Sequence, residues 1–268
     1  MFRNLLVTSG TILLLAGTLA AQAPMKVLLI GQGPDGHPPA THEYVAGLKV
    51  LQKCLGTIKD FEVSMLRADE PWTEGPELMA RADGIVLFLS EGGKWMNNDP
   101  KRLAALKAVA ARGAGIVGLH WAVGTRDAKN IDACLDLLGA CHGGPDRKYK
   151  VLETRFQVVD PKHPIVRGIE SFTVRDEFYY KLKTARAGTL TPIVQARIDD
   201  VDETVAWAWE RRDGGRSFGF TGLHFHENWK HEAYRRLVAQ AVLWTLKVDS
   251  PAKGLNVEVS EGDLKLPK

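Results

Sequence analysis

Short apolar runs alternate with segments of helical periodicity along the first half of the chain. The runs at 25–30, 84–89 and 116–117 hold few polar residues, which is typical of strands buried on both faces of a parallel sheet. Apolar residues recur at helical spacing after Thr41, which we expect to cap that helix, and after Asp99-Pro100. This alternation of strands and helices predicts an α/β fold with a doubly wound, mostly parallel sheet.

The second half of the chain has a different pattern, in which extended segments are joined by turns. An extended segment is predicted at 151–159, and a β-hairpin joins 204–210 to 217–223 through a glycine-containing turn. Apolar residues at helical spacing predict a last helix over 232–246, and the tail from 249 is expected to be loosely attached. The predicted sheet therefore ends in a C-terminal β-hairpin and helix.

The first residues have the pattern of a secretory signal peptide. A basic start at Arg3 precedes the apolar run 5–20, and Ala21-Gln22-Ala23 fits the small-x-small cleavage rule. We expect cleavage after Ala23 and a periplasmic or secreted protein without membrane attachment. An uncleaved anchor is the alternative, which the short run disfavours. The predicted signal peptide covers 1–23, a single folded domain covers 24–248, and the C-terminal tail covers 249–268.

Composition and charge exclude several classes of function. The 268 residues are 45% hydrophobic and 25% charged, with a net charge of +3 and no Lys/Arg tract, so nucleic acid is not an expected partner. The three cysteines, Cys54, Cys134 and Cys141, do not have the spacing of a zinc or redox motif. We interpret them as buried thiols, with a disulfide between Cys134 and Cys141 as the alternative.

The stretch Gly118-Leu119-His120-Trp121-Ala122 is the strongest indication of a functional site. A small-x-polar-x-small pattern after a buried strand is typical of a nucleophile elbow, where a sharp turn lifts one side chain above the sheet. Its central residue is usually Ser or Cys, but here it is His120, which can act as acid, base or metal ligand. The alternative is a structural histidine at a strand end.

Two further histidines follow the returning strand of the predicted hairpin. His224 and His226 face the same way in an extended chain, a spacing that can hold a metal. Together with His120 they form a candidate site for a divalent ion, Zn or Mn. Two histidines alone do not make such a site, so a ligand from His120, His42 or a carboxylate would be needed.

A pair of adjacent carboxylates, Asp176 and Glu177, offers acid-base chemistry beside aromatic residues. In an extended chain they point to opposite faces, so one of them would face a given ligand. The alternative is a solvated turn. Candidate substrate-binding residues are rings predicted near the sheet edge, which suit stacking on sugars or hydrogen bonding to them: His42, Trp95, Trp121, His142, Tyr179 and Trp229.

The order and spacing of its motifs make the chain resemble the ThuA-like (trehalose-utilisation) family of the class I glutamine amidotransferase-like superfamily. The similarity runs from about Met25 to Lys247. The motifs that carry it are, in chain order, Thr41-His42-Glu43-Tyr44, Gly118-Leu119-His120-Trp121-Ala122, His163-Pro164-Ile165 to Gly168, Asp176-Glu177-Phe178-Tyr179, Thr204-Val205-Ala206-Trp207 and Gly222-Leu223-His224.

The resemblance implies a flavodoxin-like sheet, with His120 where amidotransferases carry a Cys nucleophile. Glutamine hydrolysis through a thiolate is therefore not expected. It also implies breakdown of trehalose-like sugars through 3-keto intermediates, with Asp176 and Glu177 matching the Asp-Glu pair of the family. The chain has Gly-Leu-His-Phe-His where many members end in Gly-His-Asp. It stays open which of His224 and His226 is functional.

The leading hypothesis is an exported sugar lyase, isomerase or hydrolase that acts on a 3-keto-glycoside or a related sugar. The catalytic set would be His120, Asp176, Glu177 and His224, with acid-base or metal-assisted chemistry. A small carbohydrate is the expected partner, and homo-oligomerisation stays open. The alternatives are a non-catalytic sugar-binding protein and an amidotransferase-like hydrolase without the Cys nucleophile.

Overall fold

The computed structural model describes residues 23–69 and 71–266, so the predicted signal peptide lies almost wholly outside the described residues. The strands are β1 (Met25–Gly31), β2 (Phe61–Arg67), β3 (Gly84–Phe88), β4 (Gly115–Leu119), β5 (Gly124–Thr125), β6 (Ala140–Gly143), β7 (Lys148–Val158), β8 (Phe172–Tyr180), β9 (Lys183–Thr184), β10 (Thr189–Ile198), β11 (Val201–Glu210) and β12 (Arg216–Phe220). The helices are α1 (Tyr44–Leu55), α2 (Gly75–Arg81), α3 (Gly92–Asn97), α4 (Pro100–Ala111), α5 (Ile131–Leu138) and α6 (Glu232–Thr245).

Within the described residues, the main sheet has nine strands in the order β2-β1-β3-β4-β12-β11-β10-β7-β8. The strands from β2 to β12 pair in parallel, whereas those from β12 to β8 pair antiparallel. The predicted hairpin is confirmed as β11 and β12, and β12 joins the two halves of the sheet. A second sheet of β5, β6 and β9 lies beside the elbow.

Helices cover both faces of the parallel half, which confirms the doubly wound arrangement. Along β1, Val27 and Leu29 belong to the apolar core that contains α1 and α6. Leu28 and Ile30 belong to the other core, with residues of α2, α4 and α5. Successive side chains of a strand point to opposite faces, so a strand covered on both sides needs an uninterrupted apolar run.

The start of α1 differs from the prediction. The helix begins at Tyr44, and Glu43 occupies the N-cap position without a side-chain cap. Thr41 instead bridges to Phe225, and its hydroxyl donates to the Pro38 carbonyl. His42 therefore lies in the loop before the helix rather than in its first turn. For α4 the prediction is confirmed, because the Asp99 carboxylate accepts a hydrogen bond from the backbone of Lys101.

The residues after α6 pack closely, so the expectation of a loosely attached tail is wrong. Val257 is buried, and its carbonyl accepts a hydrogen bond from Arg235. The backbone N–H of Leu255 donates to the Gln240 side chain. The tail thus completes the core over α1 and α6 up to the last described residues.

The cysteines are buried free thiols in the described structure, in agreement with the first interpretation of the sequence. Burial raises the pKa of the Cys54 thiol to about 11, so this side chain stays protonated near neutral pH. Among the described residues, no helix has both the length and the apolar character needed to cross a membrane.

Candidate functional site

The elbow is a sharp turn at the carboxyl end of β4. His120 directly follows this strand and begins a 3-10 turn over His120–Val123. Its φ of 50° lies in the left-handed region, which is unusual for a residue with a side chain. A close neighbour requires glycine, since a Cβ on Gly92 would lie 2.0 Å from the Ala122 carbonyl oxygen. The turn has the shape that the elbow pattern predicts.

Three histidines from distant parts of the chain meet at this edge of the sheet. His42 lies in the loop after β1, His120 follows β4, and His224 follows the neighbouring strand β12. The Nε2 atom of His120 is 2.9 Å from Nε2 of His42 and 3.3 Å from Nδ1 of His224. All three residues are buried, and one nitrogen of each lies within 4.8 Å of the others. We call this set the histidine triad.

Two rings of the triad are oriented through their Nδ1 atoms. Nδ1 of His120 donates a hydrogen bond of 2.7 Å to the Thr221 carbonyl oxygen. Nδ1 of His42 lies 2.9 Å from Oδ2 of Asp35, and the Tyr44 hydroxyl donates to the same oxygen. Since a carbonyl and a carboxylate only accept, both imidazoles carry their proton on Nδ1.

Asp35 is ionised in this arrangement. Burial by itself would raise the pKa of Asp35, but hydrogen bonds from His42, Tyr44 and His37 together hold that pKa well below its ordinary value. Nδ1 of His37 contributes a bond of 2.7 Å to the second carboxylate oxygen. The negative charge of Asp35 thus sits behind the triad, as in the carboxylate–histidine pairs that support metal or acid-base histidines.

The triad imidazoles are neutral near pH 7. Burial lowers the pKa of His120 well below its ordinary value, and the neighbouring His42 and His224 lower it further. Burial likewise lowers the pKa of His42, although Asp35 opposes the shift, and lowers that of His224 to about 4. Neutral rings have a free lone pair on the nitrogen that carries no proton.

Asp176 holds the backbone that presents His224. Its two oxygens accept hydrogen bonds from the backbone N–H groups of Leu223 and His224, at 2.7 and 3.1 Å, and from the Tyr234 hydroxyl at 3.1 Å. The side chain is fully buried, and burial raises the pKa of Asp176 to about 6 against the effect of these donors. Asp176 therefore positions the third histidine from beneath.

Glu177 points to the opposite face from Asp176, as expected for neighbours on strand β8. Its Oε1 atom lies 3.8 Å from Nδ1 of His224. Burial raises the pKa of Glu177 to about 7, and the charge of Asp176 adds to the shift. A carboxyl group with a pKa near neutrality is suited to general acid-base catalysis.

The open side of the site is a cleft of about 100 Å³. It is lined by aromatic rings, imidazoles and charged groups: His37, His42, Trp121, Arg126, His142, Arg147, Tyr149, Glu177 and Tyr179. The rings of His142 and Tyr179 stack at a centroid distance of 4.0 Å. His120 does not line the cleft. Its ring lies beneath, where Nε2 is 3.0 Å from the Tyr179 hydroxyl.

Three of the predicted site residues, Trp95, Trp229 and His226, neither line the cleft nor contact the triad side chains that lie beneath it. The Trp95 indole donates to the Ala68 carbonyl and packs on Arg102, and Trp229 is buried beside Gly47 and Phe88. His226 does not share a face with His224, because a 3-10 turn begins at His226. Its Nε2 atom instead lies 3.1 Å from the Leu264 carbonyl oxygen.

A comparison with protein-family models decides the family. The model described as ThuA, trehalose utilisation, matches residues 27–245, which include every residue of the triad and of the cleft. The chain belongs to the ThuA family.

Two solved ThuA-like proteins have the same fold as this member of the family. One, from Bacteroides uniformis, has a TM-score of 0.64 at 16% identity and is aligned over 86% of this chain and 95% of its own. The other, from Parabacteroides merdae, has a TM-score of 0.63 at 14% identity, over 91% of this chain and 100% of its own. No curated protein matches the sequence.

Several residues of this ThuA-family site have no sequence pattern that marked them as site residues. Asp35 and His37 come from the glycine- and proline-rich loop after β1, and Tyr149, Arg126 and Arg147 form the rim of the cleft. The signal that could have indicated Asp35 is its place in a loop that leaves the carboxyl end of a parallel strand, where open α/β folds bind ligands.

Proposed function

We propose that this protein is an exported enzyme that acts on a carbohydrate bearing a ketone, a 3-keto-glycoside or a related sugar. The observation that carries the proposal is that Glu177, His42 and Tyr179 line one cleft together with Trp121 and Tyr149. Aromatic rings suit the apolar faces of sugars, and a partly buried carboxyl group suits removal of a proton. The description of the family as trehalose utilisation supports a sugar substrate.

The reaction that fits these groups begins with loss of the proton next to the ketone. Glu177, as carboxylate, takes the proton from C2 of a 3-keto-glycoside, and the electrons of the C–H bond form the double bond of an enolate. The enolate then re-forms the C3 ketone as a C1=C2 double bond forms and the bond from C1 to the glycosidic oxygen breaks, and that oxygen takes up the proton held by Glu177 and leaves as an alcohol. Arg147 places a positive charge near the cleft, which favours the negative enolate oxygen, whereas the charge of Arg126 is paired with Glu91.

His120 has a supporting place in this reaction because it does not line the cleft. It accepts a hydrogen bond from the Tyr179 hydroxyl and contacts His42, two groups that do line it. Burial holds the pKa of Tyr179 well above its ordinary value, so this hydroxyl keeps its proton. The network fixes Tyr179 and His42 relative to Glu177.

The test compares turnover of a 3-keto-glycoside with that of its parent glycoside by the purified mature protein. We expect turnover of the keto form alone, and Glu177→Gln is expected to lower kcat by about 100-fold or more. His120→Ala should also abolish turnover while the fold is kept. The control Glu153→Gln, which changes an exposed carboxylate on β7, should keep full activity.

Full activity in either site variant would overturn the proposal. Tight binding of the sugar without turnover would favour the non-catalytic alternative instead, since a binding protein needs the aromatic cleft but no base.

We further propose export with cleavage after Ala23. The support is the basic start, the apolar run and the small residues Ala21 and Ala23 before the cleavage point. Because β1 begins at Met25, cleavage there would leave every described strand and helix intact.

A further inference from the structure

We propose that the histidine triad, His42, His120 and His224, is the binding site of a divalent transition-metal ion, with Zn²⁺ as the ion that fits best. This proposal does not depend on the reaction proposed above, because it concerns occupancy of the site. It also differs from the set expected from the sequence, in which His226 took the place of His42.

The spacing of the nitrogen atoms matches a metal site. His120 Nε2 is 2.9 Å from one triad nitrogen and 3.3 Å from the other. Zinc–nitrogen bonds of about 2.0–2.1 Å in tetrahedral geometry place the nitrogens roughly 3.3 Å apart. All three nitrogens lie within 4.8 Å of one another, so an ion between them can bind all three when the rings of His42 and His224 turn toward it.

The protonation of the rings calls for a cation between His42 and His120. Both carry their proton on Nδ1, which faces Asp35 in one case and the Thr221 carbonyl in the other. Their Nε2 atoms, 2.9 Å apart, therefore both present acceptors to the space between the rings, where the Tyr179 hydroxyl, 3.0 Å from His120 Nε2, is the one donor to that nitrogen and would turn away when an ion binds. Two facing acceptors repel in a buried site, whereas a shared metal ion turns both lone pairs into bonds.

The surroundings of the rings match those of known metal-binding histidines. Such histidines donate their second nitrogen to a carboxylate or a backbone carbonyl, as His42 and His120 do here. Three imidazole ligands suit Zn²⁺ among the common ions and leave a fourth position for water or substrate. Glu177 is placed to bind that fourth ligand, at 3.8 Å from Nδ1 of His224.

A second group, Asp35, His37 and His42, also brings three ligand atoms together. Its members already hydrogen-bond to each other through these atoms, at 2.7 Å for His37 and 2.9 Å for His42. No lone pairs of this group face each other. It therefore supports the triad from outside rather than forming a site of its own.

The test measures bound metal in the full mature protein after incubation with Zn²⁺ and removal of free ions. Elemental analysis should give about one zinc per chain, and Co²⁺ in its place should give the intense visible absorption of tetrahedral cobalt. His120→Ala and His224→Ala should each lower the zinc content by at least tenfold. The matched control His226→Gln, two residues from His224, should keep it.

Asp35→Asn provides a variant that keeps all three ligands. Loss of the supporting carboxylate is expected to weaken zinc binding by about 10–100-fold while the protein stays folded. Absence of zinc and of the cobalt absorption in the wild-type protein would overturn the proposal, as would full zinc content in both histidine variants. If the protein binds zinc but does not turn over a keto-sugar, the proposed reaction is contradicted and the proposed metal site is supported.

Discussion

The imidazoles of His42 and His120 face each other through their Nε2 atoms at 2.9 Å, although 78 positions separate the two residues in the chain. Each ring is fixed on its other side, His42 by Asp35 and His120 by the Thr221 carbonyl. The facing nitrogens therefore cannot separate without loss of a buried hydrogen bond. This rigidity makes the site sensitive to residues that never contact a ligand.

Asp176 is the clearest residue of that kind. Asp176→Asn replaces an oxygen that accepts from backbone N–H groups with an amide that donates, so buried donors lose their partner. We expect the free energy of unfolding to fall by about 1–3 kcal/mol and the keto-sugar activity to fall as His224 shifts. Urea denaturation and initial rates measure the two effects.

Asp202→Asn is the control for this variant, because it changes an exposed carboxylate paired with Arg197. Its effect on stability should stay within about 0.5 kcal/mol. Equal stability of the Asp176 variant and the wild type would contradict the role given to Asp176.

His142 makes the protein sensitive to acid. Burial lowers the pKa of His142 to about 3, and among the described residues its buried Nδ1 has no hydrogen-bond partner. The unfolded chain takes up this proton below its ordinary pKa of about 6.5, whereas the folded chain does not. The stability from neutral His142 is therefore present above pH 6.5 and is lost as the pH falls from there toward 3.

We expect His142→Gln to flatten the fall in unfolding free energy between pH 6.5 and pH 4, relative to the wild type. Denaturation curves at several pH values provide the measurement. Burial also lowers the pKa of His163, away from the cleft, so His163→Gln should flatten the same pH range and tests whether the effect is general to buried imidazoles. If the pH dependence of the His142 variant equals that of the wild type, the imidazole of His142 is protonated to the same extent in the folded and the unfolded wild-type chain.

Tyr149 offers a test of sugar binding with little effect on the fold. Its side chain is 57% exposed and lies at the rim of the cleft. Tyr149→Ala should raise KM for the keto-sugar several-fold and leave kcat and the melting temperature nearly unchanged, because it removes a stacking surface but no reacting group. The control is Val159→Ala, which changes an exposed apolar residue outside the cleft and should alter neither KM nor kcat.

Export is tested by cell fractionation and by the mass of the recovered protein. We expect a periplasmic or secreted chain that begins at Pro24. Ala23→Asp should block cleavage, because the position before the cut requires a small neutral residue. Gln22→Glu changes the tolerant middle position and should be processed normally. A full-length cytoplasmic product from the wild-type gene would refute the signal peptide.

The parallel half of the fold was predictable because a strand that is buried on both faces has a continuous apolar sequence. Strand β10 was not predicted, and its sequence shows why. Pro192 lies within it, and the pairing with β11 shifts register on either side of Val194, so the strand lacks a regular alternation. The packing of the tail was also missed, since its apolar residues are few and isolated.

The position of His120 at the elbow could be predicted from the sequence, but several of the residues that complete the site could not. His120 has a recognisable local pattern, whereas His42 was expected in a helix that begins two residues later. The positive φ of Ala40 and of His42, 67° and 53°, is set by contact with the segment around Phe225. Contacts between residues so far apart in the chain leave no periodic signal in the sequence.

The left-handed backbone at the site has a consequence for stability as well as for chemistry. His42, His120 and Leu223 all have φ between 50° and 76°, which costs an ordinary residue roughly 1 kcal/mol each. His120→Gly should therefore be less destabilising than His120→Ala by about 1 kcal/mol, as thermal denaturation can measure. Replacement of His42 or His120 by glycine therefore removes a site residue and relaxes the backbone at the same time, whereas any other residue keeps the strained conformation.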